Sequence, residues 1–217
     1  VDSTIKRRAD RKTSMVLVPA GTTTIDNGNI TVSQPFYIGK YEVTQSEWQS
    51  VMGNNPSYFV DKPNNPVEQV SWFDAVEYCN ARSIQEGLTP YYTYTKVGDN
   101  DLRNVEIVAG AKGYRLPTDA EWEYAARGGA GGSATIYAGS NNIDDVAWYS
   151  NNNTANGEID GTKAVGRKLP NELGIYDMSG NVYEWCYDWH SVNEGSYREL
   201  RGGCWYYSGC PVDRSGS

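Results

Sequence analysis

Histidine is almost missing from this chain: there is one, His190, in 217 residues. A single imidazole cannot build a multi-histidine metal centre, and His190 reads as an ordinary surface or interface side chain. Cysteine is scarce as well. Cys79, Cys186, Cys204 and Cys210 are scattered, none forms a CxxC pair, and four are too few for a disulfide framework in a chain this long. A Cys204–Cys210 bridge would close a small loop if their geometry allowed it. No apolar run approaches the ~18 residues of a membrane span, and no apolar signal core is present. Positive charge is also short. With 19 Lys and Arg against 27 Asp and Glu, the net charge of −8 repels phosphate backbones and removes nucleic acid as a partner. Phenylalanine is rare, with 3 residues, whereas Tyr (17) and Trp (7) are abundant. Rings that carry a polar handle suit half-wet positions, so the skew favours a recognition surface.

What is present points to one α+β domain. The length suits a single domain, and 23 Gly with 9 Pro favour short elements and many loops. Residues 1–14 are charged and aperiodic and read as a flexible polar arm; the domain then spans 15–217, opening with Met15–Val18 as a buried strand. The stretch 30–38 reads as a second strand. Thr44-x-x-Glu47, the looser Ser71-x-x-Asp74 and Thr118-x-x-Glu121 are capping boxes that start three helices, the middle one longest. Gly53, Gly87 and Gly128 follow them as stops. Residues 130–156 read as irregular loop with packed aromatic anchors, and 182–185 and 199–205 as short strands.

Two segments carry candidate chemistry. The turn Asp177-x-x-Gly180-Asn181-x-x-Glu184 brings two carboxylates to one backbone bend, as a calcium site requires; the alternative is a turn cap and an arginine pair. After Arg201-Gly202-Gly203 comes Trp205-Tyr206-Tyr207-Ser208-Gly209, whose consecutive tyrosines cannot both point inward along an extended chain. Trp122, Trp185 and Trp189 read as core rather than as a ligand cage, and Arg201 as scaffold.

Five motifs occur in order: Phe36 to Thr44 (FYIGKYEVT), Pro66-Val67-x-x-Val70-Ser71-Trp72, Tyr114-Arg115-Leu116-Pro117-Thr118-x-x-Glu121-Trp122-Glu123, Gly180-Asn181-x-x-Glu184-Trp185 and Arg201-Gly202-Gly203. On these the chain resembles the formylglycine-generating enzyme (sulfatase-modifying factor) family over roughly residues 15 to 205. The resemblance implies an irregular variant of the C-type lectin fold, with about three helices, small antiparallel sheets and many loops. It also implies structural calcium at Asp177, Gly180, Val182 and Glu184, and a second cation site drawn from the loop 146–160.

The resemblance also divides the function. The family's copper oxidases use two cysteines that fall at Tyr207 and Val212 here, so copper is not expected; the iron-dependent branch of similar proteins needs a histidine cluster that His190 alone does not supply, so iron is not expected either, and an oxidase or maturase using Cys204 or Cys210 is the alternative reading. The non-catalytic branch resembles the chain more: retroelement-diversified variable proteins vary the segment after Arg-Gly-Gly-x-Trp. That implies a ligand-binding face of Trp205, Tyr206, Tyr207, Ser208, Cys210, Asp213 and Ser215, aimed at a protein or cell-surface ligand. An acidic domain that opens at Val1 fits an exported, surface or lipid-anchored protein, and the family pattern implies a final strand beyond Ser217.

Overall fold

The structure is a computed structural model and describes residues 14–25, 28–98, 101–154 and 161–212. All but Ser14 of the proposed arm lies outside them. The three capping boxes set three helices: α1 (Gln45–Met52), α2 (Trp72–Gln85) and α3 (Asp119–Ala126). In each, the cap hydroxyl of Thr44, Ser71 or Thr118 accepts the N3 backbone N–H, and the N3 carboxylate accepts the cap's own N–H. The Ser71 box closes as fully as the others, its N–H donating to Asp74 Oδ2 over 2.8 Å. Gly53 caps α1 with φ 81° and donates to the Gln49 carbonyl, and α2 is the longest helix, as its pattern implies.

Some expectations about the elements need correction. The loop 130–156 contains a fourth helix, α4 (Ile143–Val146), started by Asn142, whose side chain accepts the Asp144 N–H. One turn is too short to leave a periodic pattern. The stretch 30–38 is two strands rather than one, because Pro35 has no N–H to continue a ladder. β2 (Gly21–Ile25) and β3 (Gly28–Val32) form a hairpin, while β4 (Phe36–Gly39) turns back to pair antiparallel with β1 (Met15–Val18). Two further ribbons are β5 (Tyr92–Gly98) with β6 (Asp101–Ile107), and β7 (Glu184–Trp189) with β8 (Arg198–Arg201). Every sheet among the described residues is two-stranded.

A two-stranded ribbon cannot bury a face by itself, so the ribbons depend on the helices and loops packed against them. Trp122 and Tyr124 of α3 centre one cluster with Val18, Val32, Ile175 and Cys186; Trp72 and Val76 of α2 centre a second with Tyr92 and Leu116; Trp48, Val67 and Tyr78 form a third. Of the tryptophans expected in the core, Trp122 has no exposed surface and Trp185 is half-buried, donating to the Val70 carbonyl. Trp189 is a correction: it closes β7 at the sheet's end, is 41% exposed, and packs its ring on the Arg198 guanidinium instead of on apolar neighbours.

Arg201, at the end of β8, is buried and joins three parts of the chain. Its Nε donates to Asp119 and its Nη2 to Glu123, both on α3, while Nη1 donates to the Val212 carbonyl over 3.1 Å. Removing one partner of a buried pair leaves the other charges unpaired at a cost of about 3–5 kcal/mol. Arg201→Ala is therefore expected to lower unfolding stability by about that amount in urea titrations, and Arg201→Lys, which lacks the planar fork, to restore only part of it.

Candidate ligand-binding face and cation site

β8 delivers the chain into Gly202 and Gly203, both left-handed at φ 87° and 75°. This doubles the chain back so tightly that a Cβ on Gly203 would sit 3.0 Å from the Cys210 sulfur. The returning segment is pinned along its length. Gly180 N–H donates to Gly202 O, Trp205 N–H to Asn181 O, Ser150 N–H to Tyr207 O and Val212 N–H to Ile136 O, over 2.8 to 3.1 Å. Arg201 fixes the Val212 carbonyl from beneath. The loop's ordering entropy is thus spent before any ligand arrives.

On this backbone stands a chain of rings in edge-to-face contact. Tyr58, Phe59, Trp205, Tyr206 and Tyr207 follow one another at centroid spacings of 5.1, 5.5, 5.5 and 5.6 Å, and Tyr183 meets Tyr207 at 6.2 Å. Tyr58, Tyr206 and Tyr207 are 76%, 66% and 53% exposed, Ser208 is exposed, and Trp205 is half-buried. Beside them a groove of about 390 Å³ runs between the 58–70 loop and β8. Its wall is stiffened by the Phe59 N–H donating to Glu68 Oε1 over 2.8 Å and the Glu68 N–H donating to the Ser57 hydroxyl. Sequence reasoning missed Tyr58, Phe59 and Tyr183. The adjacent Tyr58-Phe59 pair inside a Pro- and Asn-rich loop was the available signal.

Cys210 does not join this face. It is buried against Ala147 and Tyr149, with its thiol turned to the Cys204 carbonyl at 3.8 Å, because the double-glycine turn folds it inward. Asp213 and Ser215 lie outside the described residues. All four cysteines are free, so the small-loop bridge does not form. Burial pushes the Cys204 thiol up and the Cys210 thiol up to about 12. Of the positions that the resemblance assigns to copper ligands, Tyr207 faces solvent and Val212 is buried.

The acidic turn lies directly beneath. Asp177, Gly180 and Asn181 are all left-handed, at φ 60°, 81° and 60°, and a Cβ on Gly180 would stand 2.3 Å from the Trp148 carbonyl. Asp177 Oδ2 accepts the Gly166 N–H and Glu184 Oε2 accepts the Trp122 indole N–H. A third carboxylate, unread in the sequence, is Glu42, which accepts Asn181 Nδ2 over 2.6 Å and the Val182 N–H over 3.1 Å. Burial raises Glu184 to about 7 and Asp177 to about 6; Glu42 is raised well above its usual range, first by burial and then by the other two charges. The donors are all oxygen, which suits a hard cation. Among the described residues no three acidic, His or Cys side chains surround one point, so the remaining donors would be backbone carbonyls, Gly180 and Val182 in the expected set. In the 146–160 loop, the buried Asn153 amide has no hydrogen-bond partner for either polar atom.

Comparisons with known proteins bear on the family and the fold. The family model for the sulfatase-modifying factor enzyme 1-like domain matches residues 1–215. The chain is 51% identical over 204 residues to the protein named chaperone protein LppX of Paenibacillus barcinonensis, covering 83% of this chain and 72% of that one. It is 32% identical over 155 residues to the formylglycine-generating enzyme of Thermomonospora curvata, spanning 67% of this chain and 40% of the enzyme. Among solved structures it resembles Treponema denticola variable protein 1, with TM-score 0.77 and 34% identity over 94% of this chain and 87% of that one. The irregular α+β fold expected from the motifs is thereby established, with four α-helices described where three were expected. No helix among the described residues is long and apolar enough to cross a membrane.

The raised carboxylates fix a sign. A group protonated more readily in the folded than in the unfolded state adds stability below its ordinary range and loses it as pH rises to the folded value. In chelator-containing buffer the protein is expected to lose stability between about pH 4 and about 7, from the Asp177 shift over the lower part of that range and the Glu184 shift over the upper. Glu184→Gln should flatten that slope in urea midpoints measured at several pH values.

Proposed function

The chain belongs to the sulfatase-modifying factor enzyme 1-like domain family, and from that premise we propose that it is a non-enzymatic binding protein whose recognition face is the segment following Arg201-Gly202-Gly203. The observation that carries the reading is the exposed run of rings from Tyr58 to Tyr207 on a backbone pinned at both ends. Tyrosine and tryptophan offer large contact area at little rotamer cost, and Ser208 and Gly209 add adaptable backbone and hydroxyl contacts. In this reading the segment is variable, as in retroelement-diversified proteins, and the likeness to a Treponema variable protein supports it. The ligand is a protein or a cell-surface structure, and the chain works in an exported, surface or lipid-anchored setting.

Calcium is proposed as a structural cation at Asp177 and Glu184 with the Gly180 and Val182 carbonyls. It would neutralise carboxylates that burial now disfavours and so stiffen the turn that receives the Trp205 N–H. Copper and iron have no part in the proposal. Burial pushes both the Cys204 and the Cys210 thiol up, which works against the thiolates that copper(I) takes.

A second reading keeps the same face but fixes its sequence. The relative that is 51% identical is named a chaperone protein, which supports a client polypeptide as the ligand and exposed rings that cover its apolar segments.

Binding screens against arrays of folded proteins, unfolded polypeptides and glycans test both readings. Tyr206→Ala and Tyr207→Ala should each weaken a captured ligand by about 2 kcal/mol, roughly 30-fold, without moving the thermal midpoint. Unchanged affinity in the double variant would exclude the face, and copper-dependent aldehyde formation on a cysteine peptide would restore the oxidase alternative.

A further inference from the structure

On another part of the surface, between the β5–β6 ribbon and the turn joining β7 to β8, lies a cleft of about 760 Å³. Its back wall is Trp72 and its outer wall Trp189, with Asn104, His190 and Glu194 along the rim. Between the two indoles lies the Arg198 guanidinium, 3.8 Å from the centre of the Trp72 ring and 3.6 Å from that of Trp189. Both flat faces of the cation are therefore covered, and its orientation is set by the walls. One N–H is used: Nη1 donates to the Tyr187 carbonyl over 2.5 Å. No carboxylate among the described residues forms an ion pair with this half-buried arginine, whereas the buried Arg201 engages two.

A guanidinium whose faces are stacked can bond only in its own plane, and here the Nε and Nη2 edge has no acceptor among the described residues. That edge has the spacing of a carboxylate's two oxygens. Burial lowers the pKa of Arg198, an effect that the nearby Asp188 charge offsets only in part and that an anion at its edge would offset further. The acids nearby do not fill the role: Asp188 accepts the Asp119 N–H at the start of α3, and Glu194 stands exposed on the rim. The cleft is far wider than one carboxylate needs. Its remaining features, a half-exposed flat indole edged by amide, imidazole and carboxylate groups, suit a ring that carries hydroxyls.

We propose that this cleft binds a uronic-acid unit of an acidic saccharide, with the sugar ring against the exposed part of Trp189 and its carboxylate on the Nε–Nη2 edge of Arg198. The site is separate from the tyrosine face and does not depend on it. Asn104, left-handed at φ 54° in β6, presents its amide at the rim for the sugar hydroxyls.

The test is titration of the whole protein, by tryptophan fluorescence and calorimetry, with a galacturonic acid trisaccharide, a neutral galactose trisaccharide and a triglutamate peptide. Saturable binding of the uronate alone is expected. Arg198→Lys should weaken it roughly tenfold by removing the bidentate contact, and Glu194→Gln should strengthen it by removing a like charge. Trp189→Ala, which removes the sugar's platform and uncovers one face of the guanidinium, should also weaken binding. Tyr206→Ala should leave uronate binding unchanged. Equal binding of the neutral sugar or of triglutamate, an Arg198→Lys protein that binds as wild type, or no saturable binding would each overturn the proposal.

Discussion

A buried guanidinium holds the surface of this protein in register. Arg201 takes two carboxylates from α3 and the carbonyl of Val212, so one side chain joins the last ribbon, the most buried helix and the far end of the recognition segment. The arrangement separates two jobs that a binding loop must combine. Residues Tyr206 to Ser208 face solvent and contribute little to the interior, while Arg201, Cys210 and Val212 do the holding beneath them. Side chains on the outer face can then change with small effect on folding.

Asn181 plays the matching part below the face. Its backbone N–H donates to Trp148 and its carbonyl accepts from Trp205, while its amide bonds Glu42 and both backbone groups of Lys163. A left-handed residue with a short polar side chain serves here where a larger one would be strained. Through it the acidic turn, the 148–150 loop and the recognition segment share one support. The carboxylates of Glu42, Asp177 and Glu184 sit just under that support, so their charge state and the shape of the face are physically linked.

Much of this was legible in the residues. The capping boxes at Thr44, Ser71 and Thr118 located three helices because a cap is a local device, written in four residues. Strand geometry required only that one of Tyr206 and Tyr207 face outward; the segment is a turn instead, and both do. What escaped depended on distance along the chain. Phe59 reaches Trp205 across 146 positions and Glu42 reaches Asn181 across 139, and no local pattern records such meetings. Cys210 was placed on the binding face by the resemblance, which covers the whole segment after Arg201-Gly202-Gly203, yet the chain turned by the double glycine carries it inward. Trp189 was read as core from its size, but it ends a strand and finds a cation for a neighbour.

The most direct measurement is to sequence the segment from Arg201 onward, together with its scaffold, in many isolates of the source organism. If the segment is a variable face on a fixed clamp, substitutions will collect at Tyr206, Tyr207 and Ser208 while Arg201, Gly202, Gly203, Asn181 and Val212 stay constant. Constancy at the three outward positions would contradict the variable reading and leave a fixed client or ligand in its place.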